Sequence, residues 1–113
     1  MFMKEDSILI EFFGDNPLIR IVDYLIEKRP FDTTKEEIIQ ETGISRMSLF
    51  KYWKKIEGFE LVKKTREIGK ATLFVLNDEN PIVQKLLILE SELIKRAMKT
   101  DSKMKKTVIK SQA

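Results

Sequence analysis

Gly43 is the residue that most constrains what this 113-residue chain can fold into, because it separates two short segments that each carry their own helix-start signal. Upstream of it, Thr33 and Thr34 both open an [ST]-x-x-E pattern, with Glu36 and Glu37 respectively. In that pattern hydroxyl and carboxylate satisfy the free N–H groups of a first helical turn. The helix it predicts runs from Lys35 to Thr42 and turns Ile38 and Ile39 inward. Gly43 then stops it, since glycine adopts the left-handed cap without a Cβ penalty. Ile44 is a lone apolar residue in the turn, and Ser45 caps a further helix over residues 45–57. Leu49, Trp53 and Ile56 on that helix fall at i, i+4 and i+7, the spacing of a buried stripe. Two short helices joined through such a turn form a helix-turn-helix.

The flanking segments complete a single domain. Residues 7–13 are apolar at Ile8, Leu9, Ile10, Phe12 and Phe13 and read as a short helix or strand. Asn16-Pro17 reads as a cap followed by proline at the first helical position, where the missing N–H costs nothing. Leu18, Ile21, Val22, Leu25 and Ile26 continue that helix at helical spacing, and Pro30 ends it. After Gly58, residues 60–66 and 70–76 read as strands, joined through Glu67-Ile68-Gly69 as a hairpin. Asn80-Pro81 repeats the cap-and-proline start and opens a long helix over residues 81–99. Residues 100–113 are polar, basic and aperiodic, and are expected to be a disordered tail. The expected fold class is therefore mainly α with a small β-hairpin wing: a winged helix-turn-helix with a long C-terminal dimerisation helix. The domain spans residues 1–99 and the tail residues 100–113.

Composition removes whole classes of function. Without a single cysteine there are no disulfides, thiolate nucleophiles or cysteine zinc sites. With no histidine, the commonest general base and metal ligand is missing too. No metal, no cofactor and no enzyme activity is expected. Glu36 and Glu37 do not make a carboxylate site, because adjacent helical residues do not face each other. No apolar run approaches the roughly 18 residues needed to cross a bilayer. Met1-Phe2-Met3-Lys4-Glu5-Asp6 lacks a signal-peptide layout, so a soluble cytoplasmic protein with no membrane partner is expected.

The net charge is only +3, but it is laid out in blocks. Residues 1–45 carry 5 basic and 10 acidic side chains, residues 46–70 carry 8 and 3, and residues 95–113 carry 7 and 1. The middle basic block coincides with the second helix of the pair and the hairpin. In this architecture that helix enters the DNA major groove with its N-terminal residues near base edges. Those residues are Ser45, Arg46, Met47 and Ser48, with Arg46 suited to a bidentate guanine contact. Lys51, Tyr52 and Lys55 follow at phosphate-contacting positions, and Thr34 and Lys35 open the preceding helix, whose N–H groups favour a phosphate. Lys63, Lys64, Arg66 and Lys70 lie on the hairpin. Trp53 is in register with the core and is not expected to stack on bases, whereas Phe50 is expected to be half-buried.

The stretches FFGDNPLIRIVDYLIEK, TTKEEIIQETGISRMSLFKYWKKIE, LVKKTREIGKATLFVLN and ENPIVQKLLILESEL, taken in this order and spacing, resemble the winged-helix transcription regulators of archaea, distant relatives of the MarR and ArsR families. The resemblance covers residues 12–94. It implies a homodimer on duplex DNA, read by the helix at residues 45–57 and built through the terminal helices. Ile8, Leu9 and Phe12 at one end, and Ile82, Leu86, Leu89 and Leu93 at the other, are the expected interface. The metal-sensing members use Cys and His, which this chain lacks. Two other readings stand beside this one. The basic tail could drive sequence-independent, architectural or partition-type DNA binding. Alternatively, the acidic N-terminal helices could dock a protein partner without DNA affinity.

Overall fold

The computed structural model describes residues 7–107, with side chains described for residues 7–99. The order is α1 (Ile8–Phe13), α2 (Pro17–Lys28), α3 (Lys35–Thr42), α4 (Arg46–Gly58), β1 (Val62–Ile68), β2 (Ala71–Leu76) and α5 (Pro81–Thr107).

Local capping chemistry sets the helix starts. Ser7 Oγ accepts from the Ile10 N–H, Asn16 Oδ1 from Ile19, Thr34 Oγ1 from Glu37 and Ser45 Oγ from Ser48. Each bond satisfies a backbone donor that the helix cannot satisfy itself. Residues 7–13, open between helix and strand in the sequence, are therefore a helix. Gly43 closes α3 at φ 78°, ψ 6°, in the left-handed region, and its N–H donates to the Ile39 carbonyl. Asn80 stitches the start of α5 to the turn after α4. Its side-chain amide donates to the Phe59 and Glu60 carbonyls, both at 2.7 Å, while its Oδ1 accepts from the Ile82 N–H.

The core gathers one face from each element. Ile21, Leu25, Ile38, Leu49, Trp53, Ile56, Leu76 and Val83 are all buried in one cluster with Leu9. The α4 stripe of Leu49, Trp53 and Ile56 lies within it as expected. Leu9 does not fit the expectation of a dimer contact. It is 1% exposed, so its surface is already consumed by the protomer's own core. Leu86 and Leu93 are partly committed in the same way, half-buried against that cluster.

The hairpin differs from expectation in two places. β1 runs on to Ile68, paired with Ala71, so the connection is the two residues Gly69-Lys70. Of these only Gly69 has a positive φ, 63°, the requirement of a two-residue turn with glycine at its first central position. A register shift between Lys64 and Arg66 leaves Thr65 as an extra residue, a β-bulge. Thr33 ties the hairpin to the helices. It forms an isolated antiparallel bridge to Phe74, with N–H to O distances of 2.9 and 2.8 Å in the two directions.

α4 includes Gly58 and is capped at Phe59, and the positive φ in the following turn falls on Glu60 at 56°. α5 continues to Thr107 rather than ending near residue 99. Residues 100–107 contain no glycine or proline to stop it. The remainder of the expected tail, residues 108–113, lies outside the described residues. The arrangement is a winged helix-turn-helix with a C-terminal helix. No helix among the described residues is long and apolar enough to cross a membrane.

Candidate nucleic-acid interface

With Leu49, Trp53 and Ile56 buried, the opposite face of α4 is fixed by helix geometry. Met47, Phe50, Lys51 and Lys54 are exposed and follow one another at helical spacing, so they form a single outward stripe. Met47 is the most exposed large apolar residue of the described chain at 80%. An apolar side chain at the N-terminal end of such a helix matches the methyl group that thymine presents in the major groove. The sequence places Phe50 half-buried, whereas it is 47% exposed, and does not single out Lys54. The i, i+3, i+4, i+7 spacing counted outward from Met47 would have found both.

The aromatic residues beneath this stripe organise it. Trp53 meets Phe74 of β2 edge-on, with ring centroids 5.1 Å apart and planes at 68°. The Lys35 ammonium lies 5.3 Å from the Trp53 ring, 5.6 Å from Phe50 and 5.7 Å from Phe74. Lys35 was expected to reach a phosphate from the start of α3. The structure places it half-buried over three rings, joining α3, α4 and the hairpin through cation–π attraction.

Several other expected cations have partners within the chain. The Arg46 guanidinium engages Glu36 through both forks, Nη1 to Oε2 and Nη2 to Oε1, the latter at 3.1 Å. Arg46 holds the Glu36 carboxyl below its ordinary range, and Glu36 raises the Arg46 guanidinium further. Arg66 donates to both oxygens of Asp32 at 2.9 and 3.1 Å, and the Thr65 hydroxyl donates to Asp32 as well. The bulge explains this convergence, since the extra residue turns consecutive side chains toward one acceptor. Bonds from Arg66 and then Thr65 push the Asp32 carboxyl down to about 2. Arg66 is thus a strut that anchors the hairpin to the loop before α3. Lys64 pairs with Glu67 at 3.2 Å along the same strand.

The remaining expected residues are placed as follows. Thr34 and Ser45 use their side-chain oxygens as helix caps. Ser48 is half-buried on the first turn of α4, and Tyr52 packs half-buried against the core. Lys51 is exposed, its ammonium 5.4 Å from the Tyr52 ring. Lys55 borders an apolar cleft of about 270 Å³ lined by Phe13, Leu18, Phe59 and Ile82. Lys63 borders a separate hollow with Arg29, Pro30 and Asp78. Lys70 is exposed in the hairpin turn beside Ile68, which is 56% exposed.

At the terminal helices, Phe12 is 58% exposed and Ile82 49%, while Ile8 and Leu89 are half-buried. Ile88, Ile94 and Met98 add further exposed apolar surface along α5.

No protein-family model matches the chain, and no curated protein matches it in sequence. Among solved structures, its fold is similar to that of MepR, described as a transcription regulator of the Staphylococcus aureus multidrug efflux pump MepA. The superposition covers 90% of this chain and 80% of MepR, with a TM-score of 0.60 and 14% sequence identity. At that identity the likeness establishes the shared fold.

Proposed function

We propose that this chain is a cytoplasmic transcriptional regulator that binds duplex DNA sequence-specifically as a homodimer. In this reading α4 lies in the major groove and the hairpin rests on the adjacent backbone or minor groove. The observation that carries it is the outward stripe of α4. Met47, Phe50, Lys51 and Lys54 face solvent from a helix whose other side is locked in the core. That surface combines apolar groups for base edges with lysines for phosphates, and Lys70 adds an exposed cation at the hairpin turn. The fold shared with a transcription regulator supports the same reading.

The dimer rests on the apolar surface left at the chain's terminal helices. Phe12, Ile82 and Leu89 remain from the sequence expectation, joined by Ile88, Ile94 and Met98. A two-fold dimer would set its reading helices about one DNA turn apart, roughly 34 Å, and favour pseudo-palindromic sites.

The test is selection from a pool of random duplexes with the full-length protein at near-physiological salt. An enriched two-fold motif is expected. Retention without enrichment would favour architectural binding driven by charge, and no retention would favour a protein-interaction module.

A further inference from the structure

The first residue of α4 and the second residue of α3 face each other across the turn at Gly43. They are Arg46 and Glu36, joined through both guanidinium forks. Both side chains are 58% exposed, so the pair lies at the surface. Exposed ion pairs add little to folding stability. Each helix start is already satisfied by Thr34 or Ser45, so neither side chain is needed for capping. The pair is therefore a modest tie between the two helices, its bidentate form the stronger kind of exposed ion pair, and capping does not require it.

Its geometry does have a consequence for recognition. The two-pronged face of a guanidinium is the same face that would grip a phosphate or the O6 and N7 atoms of guanine. In this structure that face is occupied by a carboxylate. A phosphate that captured Arg46 would have to displace Glu36 and leave a like charge beside the DNA backbone. Like-charge juxtaposition is a standard means of suppressing wrong partners. A guanine edge carries no formal charge, so displacing Glu36 toward it meets less repulsion.

We propose that Glu36 is a specificity-determining residue: it holds Arg46 closed against generic phosphate contacts and releases it to a guanine edge. This rests on the DNA-binding reading above. It assigns a role to a side chain from the acidic N-terminal region, which contributes selectivity by opposing binding.

The test uses the full-length chain and two 30-bp duplexes, one carrying the sequence enriched by the wild type and one a scramble of it. Glu36→Gln keeps the shape and removes the charge. It should tighten binding to the scramble about five- to tenfold and leave the enriched duplex within about twofold. The salt slope on the scramble should steepen by about 0.9 per protomer, the signature of one added phosphate contact. In an Arg46→Gln background, Glu36→Gln should tighten both duplexes alike through lost repulsion and leave the ratio of the two affinities unchanged. Glu41→Gln removes the same charge elsewhere on α3 and should leave the ratio of the two affinities unchanged.

Equal tightening on both duplexes with Arg46 present, a change in their ratio that persists without Arg46, or no gain at all would overturn the role of Glu36 while leaving the DNA-binding reading intact. Failure of the wild type to enrich any sequence would overturn that reading, and this proposal with it.

Discussion

Replacing Phe74 by leucine tests how the reading helix and the hairpin are held as one unit. Phe74 is 7% exposed and touches three elements at once. Its ring meets Trp53 edge-on at 5.1 Å, it lies 5.7 Å below the Lys35 ammonium, and its backbone forms the bridge to Thr33. Leucine preserves the backbone bridge and the apolar character. It removes the aromatic pair, which contributes about 0.5–1.5 kcal/mol beyond area. It also removes one ring of the cation–π group, about 0.5–1 kcal/mol, and one to two methylene equivalents of buried surface at about 0.8 kcal/mol each. The combined loss is roughly 2–4 kcal/mol. For a domain of this size that lowers Tm by about 8–16 °C. The assay is thermal unfolding by circular dichroism, with Phe59→Leu as the control. Phe59 is 56% exposed, and its replacement should cost under about 0.5 kcal/mol. A loss below about 1 kcal/mol for Phe74→Leu, or equal losses for the two variants, would refute the claim that Phe74 is the joint.

The other expectations follow from single residues. Asp32 is held at about 2, below the 3.8 of a free carboxyl, so its stabilising contribution is complete above 3.8 and is lost as pH falls through about 2. Asp32→Asn should therefore lower Tm at neutral pH and flatten its decline across that acid window; parallel wild-type and variant curves would contradict the strut. Gly43→Ala should cost about 1–2 kcal/mol because φ is 78°, whereas Gly58→Ala, with nothing within 4 Å of the added Cβ, should be neutral or slightly stabilising in chemical denaturation. Leu9→Ala should cost about 2–5 kcal/mol of folding stability as a core truncation. Phe12→Ser should instead leave the fold intact and weaken self-association in sedimentation equilibrium; the opposite pattern would restore Leu9 to the interface.

Much of this fold was legible because the signals that set it are local. A cap acts over three residues, so Asn16, Thr34 and Ser45 announced their helices directly. The α4 stripe repeats over two turns, enough to separate Trp53 from Phe50. α1 has only six residues, too few for periodicity to show which face is buried, so the burial of Leu9 in the protomer's own core is not readable from the sequence. The charged site was harder to read. Arg46 meets Glu36 from ten positions away and Arg66 meets Asp32 from 34 away, so a linear tally counts cations that the folded chain has already paired. The bulge at Thr65 had no sequence marker, yet it turns both Thr65 and Arg66 onto Asp32. The same long-range pairing gives part of the acidic N-terminal region its place beside the basic one.

The central claim is that α4 enters the major groove, and the chain suits a direct probe because it contains no cysteine. Ser48→Cys and Lys70→Cys each create a unique attachment point for a tethered iron chelate that cleaves nearby DNA. On the enriched duplex, the Ser48 probe should cut at two patches about one helical turn apart, with the Lys70 probe cutting outside each of them. Diffuse cleavage from Ser48, or cleavage confined to the Lys70 probe, would contradict the assignment of α4 as the reading helix.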